Sequence, residues 1–180
     1  MMSRASRVLS LSRNRRPVRR FEDRPVPDET LACVLECARY APSAREDQPW
    51  RFVVVQDARR RGRLARAAFH HPHARSAPVV VAACARIHTH VSGVGRRSWP
   101  LDLAAAVQSM VLCAADLGLA SAWITGFREQ SVREALEIPE EVPVAALLAL
   151  GYPDGIEPLP EREPVEEVVA WDVWGGAAGG

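Results

Sequence analysis

The sequence predicts one α+β or α/β domain built around a central sheet. Three observations carry this. The chain has 180 residues, the size of a single core. Four apolar runs of strand length lie at 50–56, 77–85, 120–125 and 142–150. Stretches of helical periodicity separate them, so strands and helices intermix instead of segregating.

Residues 3–13 predict a short helix with Val8, Leu9 and Leu11 on one side. Residues 14–25 are Arg-rich, are interrupted by Pro17 and predict a loop. Pro27-Asp28-Glu29 opens a helix, because Pro fits a first turn and acids suit its positive end. Leu31, Val34, Leu35 and Ala38 then repeat at helical spacing, Pro42 closes the helix, and 41–49 predicts a polar loop. WRFVVVQ (50–56) reads as a buried strand, 57–69 as a basic helix and APVVVAACA (77–85) as a second buried strand. A loop with Gly93 and Gly95 follows at 88–100. Residues 101–118 predict a long helix that is apolar nearly all round. Its exceptions Asp102, Ser109 and Asp116 form one narrow stripe, so this helix must be buried on several sides. A third strand (120–125), a helix (131–137) and a fourth strand (142–150) complete the pattern. From Tyr152 the tail is rich in Pro and Glu; the domain is expected to span 1–174, with a Gly/Ala tail at 175–180.

The composition narrows the chemistry. A net charge of +1 gives no general argument for nucleic acid or a membrane surface, and no apolar run reaches the length of a span. All 23 basic residues are Arg. The absence of Lys removes the Walker A phosphate loop and Schiff-base catalysis. An anion must then be held by backbone N–H groups or by the planar fork of Arg, which suits a phosphate. Cys33 and Cys37 lie one helical turn apart, and Cys84 and Cys113 fall in apolar segments. Buried free thiols are expected, with a cytoplasmic location. The first 21 residues hold seven Arg and no acid, a composition that also suits a transit peptide. They run unbroken into the Arg-rich motif and are read as part of the fold.

Three stretches could carry function. Arg15-Arg16-Pro17-Val18-Arg19-Arg20-Phe21 places four cations in a loop, as an anion cradle would; a solvated basic loop has the same composition. Ala41-Pro42-Ser43-Ala44-Arg45-Glu46-Asp47-Gln48-Pro49-Trp50 joins a helix to a buried strand, where ligand crevices form, and its small residues would let backbone approach a flat ligand. The third runs from Asp102 through Ala105-Ala106, Gln108-Ser109-Met110 and Leu117-Gly118-Leu119 to Trp123-Ile124-Thr125-Gly126-Phe127, with Ala149-Leu150-Gly151-Tyr152-Pro153 after it. Elsewhere, Gly93-x-Gly95 lacks the third Gly of a dinucleotide fingerprint. His70, His71 and His73, with His88 and His90, could approach one another across a strand, but surface histidines fit as well, and no metal is expected.

Taken together, the three stretches resemble the nitroreductase family from about Arg15 to Trp174. The resemblance implies a three-layer α/β/α arrangement of α+β class: a central mixed sheet flanked by helices in a domain-swapped homodimer, with FMN at the interface. It implies hydride transfer from NAD(P)H to FMN and on to a nitroaromatic, quinone or similar small acceptor by a ping-pong mechanism. By position, Arg15 and Arg16 match residues at the FMN phosphate and ribityl chain. Arg19 matches the cation near flavin N1 and O2, the one group expected to act catalytically. Pro42, Ser43 and Ala44 match backbone around the ring, and Thr125 and Gly126 match the segment facing N5. Gln108 falls in the matching helix, and Arg162 matches a C-terminal cation that reaches the phosphate. Two positions depart from the pattern. Pro17 stands where Ser is usual, removing an N–H and a hydroxyl, and Glu46 stands where Asn is usual. The short stretch between Ala85 and Leu101 leaves no room for the substrate-capping insertion of larger relatives. Other outcomes within reach of the resemblance are a flavin carrier or sensor with little turnover, dehalogenation and flavin fragmentation.

Overall fold

The computed structural model describes residues 6–15, 18–86, 97–155 and 157–176. In chain order they form helices α1 (Arg7–Asn14) and α2 (Asp28–Arg39), strand β1 (Trp50–Val55), helices α3 (Ala58–Ala67) and α4 (Pro72–Ser76), strand β2 (Val79–Ala85), helix α5 (Trp99–Asp116), strand β3 (Ala120–Ile124), helix α6 (Glu129–Leu136), strand β4 (Val144–Gly151) and the single turn α7 (Val165–Val168). A 3-10 turn lies at Ala44–Glu46.

The sheet has the order β1-β2-β4-β3. The layers follow from the alternation of side chains along it. Val80, Ala82 and Cys84 of β2 face α3, α4 and α6, and pack with Leu64, Ala74, Val132 and Ala135. Val79, Val81 and Ala83 face the other way, onto Val34 of α2 and Leu103, Val107 and Met110 of α5. This is the three-layer α/β/α arrangement, of α+β class. A mixed sheet is the expectation from the resemblance; the four strands described pair antiparallel at every junction. A parallel neighbour would have to come from outside these four strands.

Caps fix several helix ends. The Asp57 carboxylate accepts the Arg60 N–H at 2.8 Å and starts α3. Gly118, at φ +76°, ends α5, and the Leu119 N–H closes back on the Ala114 carbonyl at 2.8 Å. The predicted apolar face of α1 is only partly covered among the described residues: the helix has no buried residue, Leu11 is half-buried and Val8 is 57% exposed. Its tether is the Arg7 guanidinium on both oxygens of Asp116, at 2.7 Å. Nor is α5 fully covered. Leu101 is 77% exposed although Ala106, Met110 and Ala114 are wholly buried.

The segment after the Arg-rich loop is stitched to the end of β4. Phe21 bridges Pro153, the Glu22 N–H reaches the Tyr152 carbonyl at 2.9 Å, and the Asp154 N–H reaches the Arg20 carbonyl at 3.0 Å. Gly151 permits this closure, because a Cβ there would meet the Pro78 ring at 2.5 Å and Phe21 at 3.0 Å. Phe21 is buried, so its ring has little room to retreat. Gly151→Ala is expected to destabilise the fold by about 1–3 kcal/mol, the cost of overpacking. Urea denaturation checks this, and an unchanged midpoint would mean that the two rings are free to move.

Candidate functional site

The candidate residues form two groups on opposite faces of the sheet. The first group, Arg19 with Thr125 and Gly126, adjoins the core cluster on the α3/α4/α6 face. Val18, just before it, is buried in the core cluster that also holds Ile124 at the end of β3. Thr125 and Gly126 follow Ile124 directly, and both are exposed. Apart from its chain neighbours, nothing among the described residues lies within 4 Å of where a Cβ on Gly126 would sit, so a flat group can approach this backbone. The Arg128 N–H ties the same turn to the Ala67 carbonyl at the end of α3, at 2.9 Å. Arg19 itself points outward, with its side chain 80% exposed and its Nε 3.2 Å from Glu157. Arg15 ends α1, its N–H on the Leu11 carbonyl at 2.9 Å. Arg16 and Pro17 lie outside the described residues, as do His88, His90, Gly93 and Gly95.

The second group lies on the α2/α5 face. Ala41 and Trp50, which flank the loop, belong to the cluster built on Leu103 and Met110. The loop between them has an unusual backbone. Arg45, Glu46 and Gln48 all lie in the left-handed region, at φ 55°, 57° and 44°. Such residues cost of order 1 kcal/mol or more each unless their surroundings hold them. Two bonds do so here: the Ser43 hydroxyl accepts the Gln48 N–H at 3.0 Å, and the Asp102 carboxylate accepts the Ala44 N–H at 3.0 Å. Asp102 is only 7% exposed, and its second oxygen has no partner among the described residues. The sequence places Asp102 in a polar stripe; in the fold the stripe is divided among three local tasks. Asp102 holds the loop, Ser109 bonds the Ala105 carbonyl and Asp116 pairs with Arg7.

Pro42 and Glu46 are exposed. The Glu46 carboxylate lies 3.5 Å from the Gln48 amide and pairs with no arginine among the described residues. Arg51 bonds the Trp50 carbonyl instead, at 2.6 Å. Gln108 on α5 and Arg162 in the tail are both exposed.

Two features escape sequence reasoning. Helix α4 is missing from the expected elements because His-Pro-His-Ala-Arg-Ser is too short to show a period. Yet it places the His71 and His73 rings in a stack, 4.6 Å between centroids, and His73 Nε2 on the Val18 carbonyl. Burial holds the His73 imidazole below its usual range, with the charges of His71 and Arg19 acting in the same direction against the Val18 bond. The thiols are free, but they are not uniformly buried as expected. Cys84 is buried and pushed up to about 11 by that burial, whereas Cys33 is exposed, 3.8 Å from Cys113 across the α2–α5 contact. Helix ends and helix surfaces are where a periodicity argument loses sight of partners. No group of three His, Cys, Asp or Glu residues suited to a metal exists among the described residues. No helix among them is long and apolar enough to cross a membrane.

Comparison with known proteins covers most of the chain. Residues 12–74 and 65–152 match the model of the nitroreductase family. An NADH dehydrogenase of Thermus thermophilus is 34% identical over 188 residues, covering 87% of this chain and 92% of that protein. A 5,6-dimethylbenzimidazole synthase of Rhodospirillum rubrum is 32% identical over 175 residues, covering 83% of each. The crystal structure of a nitroreductase family protein from Clostridium difficile 630 superposes with a TM-score of 0.83 at 29% identity, covering 94% of this chain and 99% of that one.

The Asp102–Ala44 bond gives the site a direct test. Asp102→Ala strands the Ala44 N–H and is expected to cost about 1–3 kcal/mol of stability. Asp102→Asn keeps the acceptor while removing a buried charge, and should fall near the wild type. Chemical denaturation of the two variants measures the difference, and no loss in Asp102→Ala would mean that the carboxylate holds nothing.

Proposed function

Because the chain belongs to the nitroreductase family, we propose that it is an FMN-dependent oxidoreductase using NAD(P)H as donor and working as a homodimer in the cytoplasm. The observation that carries this reading is the placement of Arg19. Its guanidinium is presented outward from a backbone fixed on both sides, and Val18 before it shares a core cluster with Ile124, which precedes Thr125 and Gly126. When bound, FMN supplies two-electron redox chemistry between NAD(P)H and a small acceptor, such as a nitroaromatic or a quinone, in ping-pong order.

The residues of the chain fit this group. Arg15 supplies a guanidinium without a carboxylate partner among the described residues, suited to a phosphate. Arg16, by its position in the sequence, and Arg162 of the tail would add to it. Arg19, whose exposed side chain sets its Nε 3.2 Å from Glu157, would stabilise negative charge at the pyrimidine edge of the ring. The exposed backbone at Thr125 and Gly126 offers polar contacts to the ring edge, and the open space over Gly126 admits a planar ligand. No side-chain nucleophile is needed.

The division of the site over two faces supports the homodimer. Pro42, Ser43, Ala44 and Glu46 lie on the α2/α5 side, away from Arg19 in the same chain, so a second copy would bring them to the ring. Apolar surface left uncovered on α1, at Leu101 and on the tail at Val165, Val168, Trp171 and Trp174 gives such a copy something to bury. Gln108, exposed on α5, would lie at this contact. The four free cysteines suit a reducing compartment.

Purified protein should be yellow with FMN and should bleach on addition of NADH or NADPH. Arg15→Ala is expected to weaken FMN binding by roughly 1.5–3 kcal/mol, the range for a hydrogen bond to a charged group. Equilibrium titration of the apoprotein measures this. Protein that stays colourless with added FMN would refute the reading, and bound flavin that no nicotinamide reduces would favour a carrier.

Glu46 should tune the flavin. It has no arginine to neutralise it among the described residues, and a carboxylate near the ring disfavours the anionic reduced form. One unit charge at about 8 Å, in an effective dielectric near 20, is worth roughly 2 kcal/mol. For a two-electron couple this is about 40 mV. Glu46→Asn is therefore expected to raise the potential by some tens of millivolts, measured by redox titration. An identical potential in both proteins would place the carboxylate away from the ring.

A further inference from the structure

Helix α4 grips the turn that carries Arg19 at two points. His73 Nε2 donates to the Val18 carbonyl, and the Ser76 hydroxyl accepts the Phe21 N–H at 3.2 Å while donating to the Pro72 carbonyl at 3.0 Å. The end of β4 holds the same turn from the other side, through the Arg20 carbonyl and the Glu22 N–H. Backbone bonds thus surround Arg19, whose side chain stays 80% exposed. The His71 and His73 rings complete the arrangement. Their Nδ1 atoms are 2.8 Å apart and the ring planes are inclined by 29°. A neutral imidazole carries one N–H. With that hydrogen of His73 committed to Val18, its Nδ1 must accept, so His71 must carry its own hydrogen on Nδ1. Each tautomer is set by the other ring and by one main-chain carbonyl.

We propose that His73, its ring backed by His71, is a positioning residue: it holds the Val18 carbonyl and so sets the place from which Arg19 meets the ligand. This rests on the flavin reading for the identity of that ligand, while the clamp itself is a property of the chain. Val18 is buried, so without His73 its carbonyl would lose a partner where water reaches poorly. The turn would then have to open toward solvent on the side from which Arg19 projects. Ser76 alone would still tether Phe21, but the peptide before Arg19 would be free to rotate.

Two measurements on the full-length protein test this. In FMN titrations of the apoprotein, His73→Leu should weaken binding about tenfold, the scale of one hydrogen bond. His73→Gln, whose amide can donate to the same carbonyl, should recover most of the loss. In an Arg19→Ala background, His73→Leu should add less than about twofold, because the two act as one unit. Amide hydrogen exchange of the FMN-free protein should be faster at residues 19–21 in His73→Leu than in the wild type or His73→Gln. His73→Asn, too short to reach Val18 through the same nitrogen, serves if the Leu variant does not fold. Equal losses of FMN affinity with and without Arg19, or unchanged exchange at residues 19–21, would overturn the proposal. A wild-type protein that binds no FMN would refute the flavin reading instead, and the exchange result would then decide the clamp alone.

Discussion

Strand β2 has no exposed residue, and this double burial governs the architecture. A strand buried on both faces needs a helical layer on each side, and its alternating side chains decide which helices serve which face. Val80 and Ala82 require α3, α4 and α6; Val79, Val81 and Ala83 require α2 and α5. Its hydrogen bonds must also be satisfied on both edges, so β1 and β4 flank it and β3 is pushed to the margin. The turn after β3 therefore sits at an edge of the sheet, where a ligand can reach its backbone. The position of the candidate site is a consequence of how the centre is satisfied.

This dependence explains what could be read from the sequence. Runs such as VVVAACA and VAALLALG announce buried strands because burial on both faces leaves no place for a polar residue. The existence of α5 was equally legible from its long apolar run, but not which side holds its core of Leu103, Val107, Met110 and Ala114, nor that Asp102 of its polar stripe is buried. What stayed hidden depends on a single long-range partner. Asp102 carries no sequence mark of its bond to Ala44, 58 residues away. His-Pro-His reads as a surface cluster until Val18 is seen against it. The Arg-rich loop was legible as a set of cations, but not as a turn pinned from both sides. Family likeness supplied the flavin reading; periodicity alone would have yielded the layers without the chemistry.

The two groups of candidate residues divide the work differently. The Arg19 group has rigid backbone and an outward side chain, so its adaptability lies in the guanidinium. The Ser43–Gln48 loop has the opposite character, with small side chains at Ser43 and Ala44 and a constrained main chain. A charged edge of a ligand suits the first, and a flat face suits the second.

The constrained main chain also bears on the entropy of binding. A loop that wandered through many shapes would lose that freedom on closing over a ligand, and part of the contact energy would be spent on the loss. With Arg45, Glu46 and Gln48 already in the left-handed region, the cost of ordering is met during folding, from the stability of α5 through Asp102 and of the loop through Ser43. On the proposed reading, in which this loop closes over the ligand, folding stability and ligand affinity are coupled. A glycine at one of the three positions would relieve the folded chain and at the same time return to the loop a freedom that the ligand would have to remove.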